Sequence, residues 1–223
     1  TKQRVMSSIM QYLDWHNNNY KTKIDIKRID FKTGIYLPDT LSVNEITLLI
    51  DSLFHSNFIE SRNKTILDFM YSTACRVSEL CEVKISDIDF EDDYIKLTGK
   101  DNKQRLVPIG TELKVNLFKY IKLRSDFVKN NISYLFISKN KNKLERTSVY
   151  RVVKNIALNN NVKNNVHPHT LRHSAATHML ESGCDLRTLQ EFLGHSSVST
   201  TKIYTKLTKE FLSEIFQESH PRA

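Results

Sequence analysis

The chain has 223 residues, 39% hydrophobic and 26% charged, a globular balance with ample length for a buried core. Its net charge of +8 and pI near 9.3 favour a polyanionic partner. No apolar run approaches the ~18 residues of a membrane span and no signal-peptide pattern opens the chain. Cys75, Cys81 and Cys184 form neither a C-x-x-C pair nor a disulfide framework, so the expected location is the reducing cytoplasm, with no membrane partner.

Residues 2–16 read as an amphipathic helix with Val5, Met6, Ile9, Met10 and Leu13 on one side, stopped by Asn17, Asn18 and Asn19. A Lys-rich linker then runs to about Thr33. Ser42 with Glu45 makes a capping box opening a helix through about Phe54. Residues 64–74 predict another helix, with Ile66, Leu67, Phe69, Met70 and Tyr71 inward and Arg76 just beyond its end. Residues 94–97 and 105–109 are strand-like, joined through a Gly-Lys-Asp-Asn turn that puts Lys100 near a hairpin tip. Residues 111–122 and 148–160 read as helices, and 134–137 as a short strand or buried connector. Residues 209–217 predict a terminal helix with Phe211, Leu212, Ile215 and Phe216 clustered at helical spacing. The expected fold is mainly α with one small antiparallel β-sheet (α+β).

The stretch from His167 to Tyr204 concentrates the chemistry. Pro168 suits the first turn of a helix, where its missing N–H costs nothing. His169, Arg172 and His173 then share one face, Ala175, Ala176, Met179 and Leu180 supply apolar contacts, and Gly183 stops the helix. A second short helix over residues 185–192 ends at Gly194, His195 follows in a turn, and Ser199 can cap a third short helix carrying Tyr204. Taken singly, such a His is most often a cap and such a Tyr a packing residue. The H-T-L-R-H run lacks the Glu of H-E-x-x-H, which argues against zinc. The combination of two His, one Arg and one Tyr on short neighbouring elements outweighs those readings.

His169-x-x-Arg172, Gly194-His195 and Tyr204 together resemble the C-terminal signature of tyrosine recombinases, the phage-integrase family. Residues 74–80, A-C-R-V-S-E-L, resemble that family's first arginine box, with Cys75 where many relatives carry Gly or Leu. Residues 99–108, G-K-D-N-K-Q-R-L-V-P, resemble its lysine-bearing hairpin. The closing His220-Pro221-Arg222-Ala223 is similar to the end of Xer-type members, closest to the XerC-like branch. The resemblance implies the tyrosine recombinase catalytic-domain fold over residues 34–223, with a C-terminal tail helix. It makes residues 1–33 the end of an N-terminal core-binding domain plus linker, the rest being absent.

The implied activity is cutting and rejoining of DNA strands through a 3′-phosphotyrosine and a Holliday junction, in the manner of Xer-type chromosome dimer resolution. A phage or transposon integrase with the same chemistry is the near alternative, and a catalytically inactive DNA-binding protein the distant one. The residue types suit the reaction. Arg76 and Arg172 can clamp the phosphorane oxygens bidentately, and His195 adds a hydrogen bond to a nonbridging oxygen. Tyr204 is the nucleophile, His169 the base that receives its proton, and Lys100 the acid that protonates the departing 5′-oxygen. Glu79 is expected to orient Arg76 and the histidines. Lys103 and Arg105 are expected to bind DNA, with Lys103 the next candidate for the acid. No metal or cofactor is expected. The implied partners are double-stranded DNA carrying a specific site, a homo- or hetero-tetramer joined through the C-terminal tail, and a divisome DNA translocase. On this reading, a chain ending at Thr208 folds and binds one site but loses cooperative pairing.

Overall fold

In the computed structural model, the described residues are 2–24, 40–99, 102–128, 132–162, 165–194 and 206–223. The chain divides into two compact units, Thr1–Leu37 and Pro38–Ala223. In the first, helix α1 (Lys2–Tyr20) continues through the three asparagines expected to stop it. The break comes at Lys21, with φ 51°. Asn17 does not end the helix because its side-chain amide holds the chain beyond it. Its Oδ1 accepts from the Ile24 N–H (3.0 Å) and its Nδ2 donates to the Ile24 carbonyl (2.8 Å). Along α1, Met6, Met10 and Leu13 are half-buried, while Val5 and Ile9 are exposed.

The second unit follows the expected mix of helices around one small sheet. Helix α2 (Val43–Asp51) opens on the anticipated capping box, and ends before Phe54, which is exposed. Helix α3 (Phe58–Thr73) starts earlier than its apolar pattern suggests, because Asn57 caps it by accepting from the Glu60 N–H at 3.0 Å. Ile66, Leu67, Phe69, Met70 and Tyr71 are fully buried on it. Ala74 ends α3 in the left-handed conformation, φ 44°, and α4 (Val77–Glu82) begins three residues later.

Strands β1 (Ile88–Asp89), β2 (Tyr94–Thr98) and β3 (Gln104–Pro108) form an antiparallel sheet in the order β1-β2-β3. Strand β1 is a two-residue addition too short to signal itself. Ile95 pairs with Val107 and Leu97 with Arg105, and all four side chains are buried. Helices α5 (Thr111–Phe127) and α6 (Arg146–Asn159) flank residues 134–137, a buried connector held by isolated bridges rather than a strand. Helix α7 (Pro168–Glu181) is capped by His167, whose Nδ1 accepts from the Thr170 N–H at 3.2 Å. Leu180, expected among its core contacts, is exposed, whereas Leu171, Ala175 and Met179 are buried. Gly183, at φ 94°, follows its end as anticipated. Helix α8 (Leu186–Leu193) is capped by Asp185 and closed by Gly194 at φ 67°.

Helix α9 (Lys206–Ser219) and the residues after it pack within their own chain. Leu212 and Phe216 are buried, Phe216 stacks on His220 at 4.8 Å between centroids, and Phe211 of the expected apolar cluster is exposed. Arg222 Nε donates to Asp68 Oδ1 at 3.1 Å, pairing two buried side chains. The tail backbone passes so close to Gly110 that a Cβ there would lie 1.9 Å from the Arg222 carbonyl oxygen. These contacts bear on the expectation that a chain ending at Thr208 folds, since that chain would lack every one of them. Part of the apolar face of α9 therefore packs on its own domain, through Leu212 and Phe216, with Ile215 half-buried. Among the described residues no helix is long and apolar enough to cross a membrane.

Candidate active site

Four elements deliver the site. The left-handed turn at Ala74 breaks α3 and places Arg76 at the N-cap of α4, with φ −75° and ψ 150°. Glu79 then falls at the third helical position, where its Oε2 reaches back to the Arg76 N–H at 2.8 Å. Its Oε1 accepts from Arg76 Nη1 at 3.0 Å, so one carboxylate fixes both ends of the arginine. Arg172, on the second turn of α7, donates through Nη1 to the Ala74 carbonyl and through Nη2 to the Leu193 carbonyl at 2.8 Å. Arg76 Nη2 reaches the Gly194 carbonyl at 3.4 Å. The two arginines expected to act together therefore meet at the C-terminal end of α8, immediately before His195.

Two guanidiniums, those of Arg76 and Arg172, converge at this point. The last carbonyls of α8 have no partners within the helix, and the negative end of its dipole attracts cations. Burial, reinforced by repulsion from Arg76 and Arg105, pushes the Arg172 guanidinium down to about 10, still protonated at neutral pH. Burial alone would raise the Glu79 carboxyl. The Arg105 and Arg76 hydrogen bonds outweigh it and hold the group below its usual value, so Glu79 is ionised. Partial desolvation first, with the nearby Arg172 and Arg76 guanidiniums adding to it, lowers His169, keeping the exposed imidazole neutral and able to accept a proton. Burial raises Cys75 to about 12, which makes this residue of the first arginine box an inert packing thiol.

One expectation is corrected here. Arg105, expected to bind DNA, is only 5% exposed. Its Nη1 and Nη2 bind Glu79 at 2.8 and 2.9 Å, and its Nε donates to the Phe192 carbonyl at 2.9 Å. A guanidinium this buried, with each of its three nitrogens donating inside the protein, does not present itself to a phosphate. The strand period already pointed inward, since Arg105 alternates with Val107 and Ile109, both buried. Glu79 holds Arg76 and, in addition, Arg105; among the described residues its bonds do not include His169. Lys103 is exposed after the turn, its carbonyl accepting from the Gly99 N–H at 2.8 Å. Lys100, His195, Ser199 and Tyr204 lie outside the described residues.

Comparison with known proteins agrees with this geometry. Residues 39–210 match the Phage integrase family. Over 194 residues the chain is 39% identical to the tyrosine recombinase XerD of Corynebacterium glutamicum, covering 85% of this chain and 64% of that protein. It is 40% identical to the XerD of Bifidobacterium longum over 197 residues, covering 84% and 64%. The chain thus spans 64% of the length of these relatives. The crystal structure of the XerA recombinase superposes with a TM-score of 0.67 at 32% identity, covering 85% of this chain and 68% of that one. The XerH site-specific recombinase bound to difH substrate, a pre-cleavage complex, gives 0.64 at 25% identity, covering 81% and 50%. Xer-type kinship is supported, whereas the XerC-like branch expected from the tail is not, since both sequence relatives carry the name XerD. With the arginine box, the α7 motif and residues 39–210 all in agreement, the chain belongs to the phage integrase family.

Proposed function

We propose that this chain is the catalytic portion of a site-specific DNA recombinase that cuts and rejoins strands through a 3′-phosphotyrosine on Tyr204. The observation that carries this reading is the meeting of Arg76 and Arg172 at the end of α8, each held by named partners, one residue before His195. The Tyr204 oxygen attacks phosphorus, the bond to the 5′-oxygen breaks, and the two guanidiniums with His195 neutralise the nonbridging oxygens. His169 receives the tyrosine proton and Lys100 supplies one to the 5′-oxygen. The phosphotyrosine conserves the bond energy, so rejoining needs no ATP. Lys103, exposed beside the hairpin turn, is available to a DNA phosphate.

By kinship, the assembly is four protomers on two DNA sites, of one kind or with a paralogue, working through a Holliday junction. Resolution of chromosome dimers in the cytoplasm, with a divisome translocase as activator, is the role this fits. The tail would reach a neighbouring protomer through what its own core leaves outside, of which Phe211 is an exposed apolar group among the described residues.

A nicked suicide substrate, which loses the short cleaved strand and prevents rejoining, tests the reading directly. A covalent protein–DNA band on a denaturing gel is expected, and it is expected to form in EDTA. Two arginines, His195 and Lys100 supply the charge that divalent ions supply elsewhere. No adduct from folded, DNA-bound protein would refute the cleavage reading, and strict magnesium dependence would refute its charge assignment.

The lowered His169 carries a pH expectation. A base whose pKa is depressed stays competent until the pH falls below the ordinary histidine value of about 6.5. With DNA below saturation, the cleavage rate is expected to hold from neutrality down past that value, and to fall only below it. Replacement of His169 with Gln is expected to remove this acid limb. An acid limb centred above pH 7, or one that survives the substitution, would assign the base elsewhere.

A further inference from the structure

Arg105 is the residue whose sequence-level role fails and whose structural role has no counterpart in the reaction described so far. It stands where three parts of the site meet. Both oxygens of Glu79 accept from it, at 2.8 and 2.9 Å, and the same two oxygens hold the Arg76 side chain and backbone. Its Nε binds the carbonyl of Phe192, next to the Leu193 and Gly194 carbonyls bound by Arg172 and Arg76. Its backbone belongs to β3, the strand that follows the lysine-bearing turn.

Two glycines make room for this knot. A Cβ on Gly194 would lie 3.0 Å from Arg105 Nη1 and 3.1 Å from its Cδ. A Cβ on Gly99 would lie 3.1 Å from Glu79 Oε1. Backbone from the hairpin on one side and from the end of α8 on the other is thus drawn against a single buried ion pair.

The geometry points to Arg105 as a positioning residue for strand cleavage: through Glu79 it sets Arg76, and through the Phe192 carbonyl it sets the end of α8 that leads to His195. It touches no DNA. Only a planar fork can span two carboxylate oxygens and a carbonyl at once, since a lysine ammonium is a point charge on a flexible stem. Without that span Glu79 keeps a positive partner, but Arg76 and α8 are free to shift relative to each other. Displacements of about 1 Å at such a clamp are enough for losses on the order of 100-fold.

The inference rests on the cleavage reading above and is tested with Arg105→Lys, which keeps the charge. Single-turnover capture of a suicide substrate is measured at saturating DNA, so that unfolded molecules lower the amplitude while the rate constant reports the folded ones. The expected result is a rate constant lowered by about 10- to 100-fold, with DNA affinity within about twofold because no phosphate contact is lost. Arg76→Lys and the double variant complete the cycle. If Arg105 acts through Arg76, the double variant is expected to be little slower than Arg76→Lys alone. An unchanged rate constant for Arg105→Lys, losses that multiply in the double variant, a selective loss of DNA affinity, or a chain that simply fails to fold would each overturn the inference. Wild-type protein that captures no DNA would instead sink the cleavage reading itself.

Discussion

Replacement of Tyr204 with Phe is expected to abolish covalent capture of DNA while leaving binding nearly intact. The phenolic oxygen is the only atom assigned to form the bond to phosphorus, and a benzene ring offers no substitute. Removing a covalent nucleophile from a preorganised site costs on the order of 10⁶ in rate, which places residual adduct below detection. Affinity has a different origin: it comes from Lys and Arg contacts with phosphates and the release of counterions, and the +8 chain keeps all of its cations. Band-shift titration is therefore expected to give a dissociation constant within about twofold of wild type. A surviving adduct would remove Tyr204 as nucleophile. A large loss of affinity with it would mean that the tyrosine is a binding group.

The second large effect is on stability. A chain ending at Thr208 is expected to lose the cooperative fold of the second unit, and Arg222→Ala to weaken it severely. Truncation exposes the sites now filled by Leu212 and Phe216, at about 1.5–3 kcal/mol for each large apolar side chain. It also leaves Asp68, fully buried, without the Arg222 guanidinium. Stranding one partner of a buried ion pair costs about 3–5 kcal/mol. Together these losses are comparable to the ~5–15 kcal/mol that hold a typical domain together.

Asp68 keeps a hydrogen bond from Asn116 Nδ2, at 2.6 Å, which softens the loss without replacing the charge. For Arg222→Ala alone, a fall in melting temperature of roughly 6–20 °C is expected, since 1 kcal/mol shifts a domain of this size by about 2–4 °C. Thermal and urea unfolding of the three chains gives the measurement. A truncated chain that melts within a few degrees of the intact one would show that the tail contributes little to its own protomer.

These effects separate what was legible from what was not. Caps and strand alternation were legible because they depend on neighbours two to four positions away. Ser42 and Glu45 form their box, and residues 94–97 and 105–109 pair as a hairpin. Pro168 opens α7 as its position suggests. The identity of the site was legible too, since clamping a phosphate demands arginines, and Arg76 and Arg172 follow helix breaks and starts that local sequence already marks.

The sequence by itself therefore determined the family, the mainly helical fold and the candidate reacting groups. What it did not determine was the fate of charges. Arg105 reads as a DNA contact because burying a guanidinium is costly, and its strand period, which argued for the inside, could not name a partner. Glu79 removes that cost, from another element. Arg222 and Asp68 lie at opposite ends of the second unit's sequence, and neither marks the other. A charge is stable inside a protein only where an opposite charge reaches it with good geometry. That meeting depends on how helices and strands distant in sequence pack, so it was the tertiary structure that turned one arginine inward to Glu79 and bound another, with the tail, into the core.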